Sequence, residues 1–352
     1  MKILFLTLVN IRGFEEKSNI YADLCRELVR RGHRVQIVCP DEKGKETQYI
    51  PYGQHSGILK VQTGQVQKTG LIRKGIETLL IGPRFKAAVK KQLDDVGYDL
   101  VMYSTPPITL VNVVKYIKKK HNARTYLLLK DIFPQNAVDL GMMSKRGLKA
   151  PIYRYFRALE KKLYAISDRI GCMSQANVEY LLKHNPQIDP AKVEICPNSI
   201  EVQDLRVTPA EREALRTKYA IPLDKKVFVY GGNLGKPQGI PFIIECLKSR
   251  RDDPDVFFLI VGDGTEYKKL ESWFANNEPK NMKLMKRLPK EDYDRMVAAC
   301  DVGLIFLDHR FTIPNFPSRL LSYMQAGLPV LCCTDPNTDI GTVCMEGGFG
   351  WY

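Results

Sequence analysis

Midway along the chain four apolar residues, Val227, Phe228, Val229 and Tyr230, run into Gly231, Gly232, Asn233, Leu234 and Gly235, and a helical pattern opens at Ile240. The apolar run reads as a buried strand. Glycines behind it let backbone N–H groups come close to a ligand. With Lys236 alongside and a helix N-terminus following, the arrangement suits a diphosphate. An ordinary tight strand-to-helix turn has the same local signature. The constraint on the fold lies in where this unit stands, because it restarts a strand–helix alternation that had already begun at Lys2.

The first run starts with a strand from Lys2 to Val9, a loop containing Gly13, and a helix from about Ser18 to Arg31 with Ile20, Leu24 and Leu28 on one face. Gly32 stops that helix, and VQIVCP follows as a second strand. The segment from Asp41 to Gly75 is polar and glycine-dotted and reads as loops and short strands around ILKVQTG. A helix is expected from about Leu79 to Leu93, and YDLVMYS reads as a strand. TYLLLKD, Thr125 to Asp131, reads as a parallel-sheet strand ending in a carboxylate. Ligands of open α/β sheets gather at the carboxyl ends of strands, so Asp131 is placed at the crevice, though a turn or helix-capping role is open to it as well. A helix from about Pro151 to Ser167 carries Ile152, Phe156, Leu159, Leu163 and Ile166 at core spacing, with Arg154, Arg157, Lys161 and Lys162 opposite. It reads as a core-packing helix rather than one lying on a membrane.

After VEICPNS the chain turns polar and irregular, which sets a domain boundary between residues 1–199 and 200–352. Past it come the glycine loop, the strand VFFLIVG with Gly262-Asp263-Gly264, the strands MKLM and VGLIFL, the helix FPSRLLSYMQAG and the strand PVLCC. Two such runs predict an α/β protein of two Rossmann-like doubly wound domains facing one another across a cleft. The length, 352 residues, agrees with two domains.

Composition narrows the partners. The formal net charge of +14 implies an anionic one. Two basic clusters stand out in the first half: Lys115, Lys118, Lys119 and Lys120, then Arg146, Lys149, Arg154, Arg157, Lys161 and Lys162. No aromatic-rich binding motif accompanies them, so a membrane phosphate surface ranks above nucleic acid. Nine cysteines in mostly apolar context read as reduced core thiols. The five histidines are scattered and Cys332-Cys333 has no partner pair, so no metal site is expected. Apolar runs are of strand length, and the chain opens on a strand rather than a leader, which points to the cytoplasm.

The motifs RRGHRVQIV, KDIFP, CPNS, YGGNLGKPQGI, VGDG and FPSRLLSYMQAGLPV, in that order and spacing, resemble the GT-B glycosyltransferases of family 4. They are most similar to the bacterial group that adds sugars to lipid-linked precursors of capsule, exopolysaccharide or O-antigen. The resemblance implies a sugar taken from a nucleoside-diphosphate donor, a UDP-sugar, held by the C-terminal domain. The sugar passes with retained configuration and without a metal cofactor to a lipid-diphosphate-linked acceptor on the N-terminal domain, at the inner face of the cell membrane. It implies that Gly232, Asn233, Gly235, Lys236 and Gln238 hold the diphosphate and that Gly262, Asp263, Gly264, Arg287 and Leu288 line the base pocket. Ser318, Arg319 and Ser322 would contact phosphates, donor sugar or ribose, and Gly13 would approach the phosphates from the other domain. Asp131 would sit beside the acceptor hydroxyl as base or oxocarbenium stabiliser.

Two departures from the family pattern accompany the match. Where many members carry two glutamates eight positions apart, this chain has Pro314 and Ser322, and a neutral serine is a weaker acceptor for a ribose hydroxyl than a carboxylate. Members also continue through further helices beyond a GGFGWY-like segment, whereas this chain stops at Tyr352, so an incomplete C-terminal domain with an exposed apolar patch is expected. These departures motivate an alternative, a catalytically degenerate GT-B subunit that partners an active transferase. A GT-B epimerase or phosphorylase would share the architecture. A dinucleotide-dependent oxidoreductase does not fit, because Gly-x-Gly-x-x-Gly follows neither the first strand nor the central one.

Overall fold

A computed structural model describes residues 1–16, 19–64 and 71–352. The chain divides into two compact units, Met1–Glu201 and Val202–Tyr352. Among the described residues no helix is long and apolar enough to cross a membrane.

The first unit is built from β1 (Lys2–Leu6), α1 (Ile20–Arg30), β2 (Arg34–Asp41), β3 (Gln48–Tyr52), β4 (Ser56–Gln62), α2 (Leu71–Gln92) and β5 (Leu100–Ser104). It continues with α3 (Val111–His121), β6 (Arg124–Leu129), α4 (Gln135–Asp139), α5 (Ala150–Ile166), β7 (Arg169–Cys172), α6 (Gln175–His184) and β8 (Val193–Ile195). Its sheet runs β3-β4-β2-β1-β5-β6-β7-β8, parallel except where β3 lies antiparallel to β4. β1 shows why the sequence takes this form. Ile3 and Phe5 pack into the apolar layer on one face, Leu4 and Leu6 into the layer on the other, and all four are fully buried. A strand apolar at every position can only be a central one covered by helices on both sides. At roughly 1.5–3 kcal/mol per buried side chain, this alternation pins the register. The order reverses direction between β1 and β5, which is where such sheets open a crevice. Glu201 is tied back to α1 by Arg26 and Arg30 at 2.7 and 3.0 Å.

Three readings of this unit need correction or limits. Ser18, the expected start of α1, lies outside the described residues, and Asn19 caps the helix by accepting from the backbone of Tyr21 and Ala22. Residues 65–70 of the Asp41–Gly75 segment lie outside them too. α2 starts at Leu71, eight residues before the expected position. Gly75 lowers the apparent helicity of the stretch before Leu79, and Gly82, further along the helix, is needed because a Cβ there would strike the Thr109 carbonyl. In α5, Phe156 and Leu163 are buried as expected, whereas Ile152 is 53% exposed. Periodicity identifies the apolar face of a helix but not how far the neighbouring layer extends beneath it.

The second unit comprises α7 (Pro209–Lys218), β9 (Lys226–Asn233), α8 (Ile240–Ser249), β10 (Val256–Asp263), α9 (Tyr267–Asn277), β11 (Met282–Lys286) and α10 (Lys290–Ala298). β12 (Val302–Phe306), α11 (Arg319–Gln325), β13 (Val330–Cys333), α12 (Ile340–Glu346) and β14 (Gly350–Trp351) complete it. All strands are parallel in the order β11-β10-β9-β12-β13-β14. Val227 and Val229 face one apolar layer and Tyr230 the other. The order reverses between β9 and β12. β9 itself extends further than its apolar run, because the ladder continues through Gly231↔Val261, Gly232↔Gly262 and Asn233↔Asp263. The glycines therefore form the end of a strand as well as the start of a turn.

Candidate functional sites of the two units

In the second unit several glycine positions are dictated by close approach. A Cβ on Gly262 would collide with the Gly232 carbonyl oxygen, and one on Gly264 with the backbone of Leu234. The two glycine segments are also bonded together: Leu234 N–H donates to Asp263 O at 2.9 Å, and Glu266 N–H donates to Leu234 O at 2.9 Å. Gly232 has φ +125°, and a Cβ there would stand 2.9 Å from Nη2 of Arg319. The turn is latched by Tyr230, whose hydroxyl donates to Asn233 O at 2.8 Å. The Gln238 side chain accepts from Asn233 Nδ2 and from Gly235 N–H at 3.0 and 3.1 Å. Gly239, at φ +63°, opens α8, which has no side-chain cap; Pro241 has no N–H, so the amides of Ile240 and Phe242 are the ones its first turn offers to an anion. Lys236 stands exposed beside them.

Arg319 is the distinctive charge of this site. It begins α11, its guanidinium carbon lies 4.0 Å over the Tyr230 ring, and its Nε is buried without a hydrogen-bond partner. Among the described residues no carboxylate pairs with it. A half-buried guanidinium held by a ring face rather than by an acid keeps its charge directed at whatever enters beside Gly232. Its position is set from below: Tyr323, one turn on, donates its hydroxyl proton within reach of Val229 O and Leu304 O at 3.1 and 3.0 Å, and Gly303 leaves room for its ring. Tyr293 likewise occupies the space a Cβ on Gly231 would need. Sequence reasoning named Arg319 but passed over Tyr293 and Tyr323. Their only signal was aromatic residues at helical positions facing small residues on strands.

The other expected donor residues fall around this centre. Gly262 pairs with Lys286, so Arg287 and Leu288 leave β11 beside Gly262-Asp263-Gly264; Arg287 and Asp263 are exposed, and Leu288 is half-buried against the core. Ser318 is exposed ahead of Arg319, Ser322 is partly exposed one turn on, and Pro314 is buried.

Gly13 and Asp131 belong to the first unit. Gly13 lies in the loop after β1, where a Cβ would have room, so packing does not demand glycine there. A cavity of about 480 Å³ opens at the β1/β5 switch point, walled by Leu8, Asn10, Tyr21, Ser104 and Thr105 among others. Thr105 joins this wall to Asp131: its Oγ1 accepts from Lys130 N–H at 3.0 Å and Asp131 N–H at 3.3 Å and donates to Asp131 O at 3.1 Å. Lys130 turns the other way, donating from Nζ to Cys196 O at 2.9 Å, so KDIFP and CPNS are one structural unit.

The Asp131 carboxylate accepts from Asn136 Nδ2 at 2.8 and 2.7 Å and has no cationic partner among the described residues. Burial raises its pKa to about 6; the Ile132 N–H and Asn136 amide pull it down, and the charge of Glu160 pushes it up. Glu160 is itself buried, its pKa raised by burial, and it is held by Tyr164 Oη at 2.7 Å and by Arg157. Thr105, Asn136 and Glu160 were missed by sequence reasoning, since none carries a motif and only the fold brings them to Asp131. Among the described residues no group of three or more His, Cys, Asp or Glu side chains is placed to hold a metal ion.

The glycosyltransferase family 4 model matches residues 18–204, and the model of glycosyl transferases group 1 matches residues 211–339. The probable glycosyltransferase WbjE of Pseudomonas aeruginosa is 26% identical over 253 residues, 72% of this chain and 62% of that protein. The putative colanic acid biosynthesis glycosyl transferase WcaI of Escherichia coli (strain K12) is 24% identical over 250 residues, 70% of this chain and 60% of its own. The chain thus spans about six tenths of the length of these relatives. In fold it is similar to Anabaena Alr3699/HepE, solved in complex with UDP and glucose, at a TM-score of 0.65 with 17% identity, covering 94% of this chain and 80% of that one. WaaG, a glycosyltransferase involved in lipopolysaccharide biosynthesis, gives a TM-score of 0.64 with 17% identity, covering 99% and 85%. Both neighbours share the arrangement of two parallel-sheet α/β domains. With a family model matching more than half of its 352 residues, the chain belongs to glycosyltransferase family 4.

Proposed function

We propose that the protein is a retaining, metal-independent glycosyltransferase of the hexosyl or N-acetylhexosaminyl type. It would move a sugar from a UDP-sugar held by the second unit to a lipid-diphosphate-linked glycan acceptor held by the first, at the inner face of a bacterial membrane, in surface-polysaccharide synthesis. The observation that carries this reading is Arg319: a half-buried guanidinium, its Nε buried, with no acid partner among the described residues, stacked on Tyr230 and aimed at Gly232. A departing nucleoside diphosphate supplies the anion this site lacks. Arg319, Lys236 and the first-turn amides of α8 would stabilise the charge that grows on it as the glycosidic bond breaks. Gly262-Asp263-Gly264 and Arg287-Leu288 would receive the base, and Ser322 the ribose. In the first unit a desolvated Asp131, ionised above about pH 6, would accept the acceptor's proton or stabilise the oxocarbenium ion. WbjE is named as a probable glycosyltransferase and WcaI as a putative colanic acid biosynthesis glycosyl transferase, which supports surface-polysaccharide synthesis, and HepE was solved with UDP, which supports the donor class.

Calorimetric titration of the full chain with uridine, guanosine and thymidine diphosphates, with and without magnesium, tests this. Selective binding of UDP that magnesium leaves unchanged is expected, followed by turnover with UDP-sugars. Binding of none of them would overturn the enzymatic reading in favour of a silent GT-B subunit that partners an active transferase.

A further inference from the structure

We propose that the stretch 142–155, the start of α5 and the loop before it, is a membrane-docking surface that inserts Leu148, Ile152 and Tyr155 into an anionic phospholipid leaflet. The inference rests on the reading that the acceptor is lipid-linked and names the surface that would bring the first unit to it. Leu148 is 100% exposed, Ile152 53%, Tyr155 51% and Met142 50%. Ile152 and Tyr155, three residues apart, share one side of the start of α5, and Leu148 stands in the turn that leads into it. Sequence periodicity had assigned Ile152 to the core; its exposure leaves an apolar ridge on the surface, anchored at one end by the edge contact of Tyr155 with the Phe156 ring at 5.4 Å.

Charge identifies the occupant. Lys145, Arg146, Lys149, Arg154, Lys161 and Lys162 are all exposed, and none forms an ion pair among the described residues. Between Leu140 and Ile166 the one carboxylate is Glu160, which is buried and taken by Arg157. The other basic cluster differs, since Lys118 pairs with Asp168 at 2.8 Å and Lys120 pairs with Asp94. Lys149 caps α5 without a side-chain hydrogen bond, and the first turn holds no acid. Cations at a helix N-terminus oppose the helix dipole, so this placement costs the isolated fold stability. A layer of lipid phosphates satisfies the dipole and the cations together, while the ridge enters the acyl boundary. A cavity of about 110 Å³, walled by Lys145, Tyr153 and Arg157 on this side and by Ile132 and Gln135 next to Asp131 on the other, lies alongside. A membrane-bound acceptor would meet the candidate site there.

Sedimentation of the full chain with vesicles of phosphatidylcholine alone, or of an equal mixture with phosphatidylglycerol, tests the surface. The wild type is expected to pellet only with the anionic vesicles, less so as salt rises. The pair Arg146→Gln, Lys149→Gln should weaken binding about thirtyfold, at roughly fivefold per cation. The pair Leu148→Ser, Ile152→Ser should weaken it on the order of tenfold. Leu148→Trp should bind and shift its added emission to the blue, reporting an apolar surround. Equal binding to both vesicles, unchanged binding of either pair, or an unshifted added emission in the Leu148→Trp variant would overturn the proposal, as would loss of binding in Lys115→Gln, Lys119→Gln instead. UDP titration of the same variants separates the two readings: absent UDP binding with intact vesicle binding counts against the enzyme, and the reverse counts against the docking surface.

Discussion

Replacing Asp131 by asparagine tests the electrostatics of the first unit. Its carboxyl pKa is raised from 3.8 to about 6, chiefly by burial. In the folded chain Asp131 therefore holds a proton that the unfolded chain has released between these values. Stability relative to a non-titrating side chain is then full below the unfolded pKa and declines as pH rises through about 6. The difference of about 2 units, at 1.36 kcal/mol each, sets a loss of at most about 3 kcal/mol. The Asp131→Asn variant escapes this loss but turns an N–H toward the Asn136 amide, which donates to both carboxylate oxygens of the wild type. That mismatch costs about 1 kcal/mol at every pH, so the diagnostic quantity is the slope and not the offset. Thermal unfolding of both proteins from about pH 4 to about pH 8 should show Asp131→Asn gaining on the wild type by several degrees, at roughly 2–4 °C per kcal/mol for a unit of this size. Adding Glu160→Gln to both proteins should move the midpoint of this gain to lower pH, because the Glu160 charge raises the Asp131 pKa. A difference in melting temperature that stays flat with pH would refute the reasoning. So would a midpoint that Glu160→Gln leaves in place. If Asp131 acts ionised, wild-type turnover should rise through about pH 6, and Asp131→Asn should lose roughly a hundredfold or more at pH 8 while remaining folded.

Other expectations follow from the same geometry. Arg319→Gln should weaken UDP binding by roughly tenfold to a hundredfold, as expected for a charged hydrogen-bond partner, without unfolding the chain; calorimetry that finds unchanged affinity would remove Arg319 from the diphosphate site. Gly262→Ala forces a Cβ against the Gly232 carbonyl and should destabilise the second unit by several kcal/mol. Gly13→Ala, where there is room, should stay within about 0.5 kcal/mol, and denaturant titration separates the two. Thr105→Val strips the acceptor from the N–H groups of Lys130 and Asp131 and should cost about 1–3 kcal/mol in the first unit, read as a lowered melting temperature.

The sequence by itself determined the two parallel-sheet domains. Strands such as Ile3–Leu6 and Val227–Tyr230 are apolar at successive positions, and short-range periodicity together with glycine turns carries that information locally. It also marked Arg319 and Asp131 as candidates through their motifs. What those groups are chemically was decided by tertiary structure. Arg319 lacks an acid partner because Tyr230, Tyr293 and Tyr323, drawn from a strand and two helices, surround it. Asp131 titrates near 6 because the fold buries it and brings the Glu160 charge toward it, against the downward pull of the Ile132 N–H and the Asn136 amide. Ile152 is 53% exposed although the first turn of α5 buries Ala150, so the apolar spacing did not settle which of its residues are covered. Periodicity tells which side of an element is apolar, but burial, and with it the cost of a charge, depends on which distant residues the fold brings alongside.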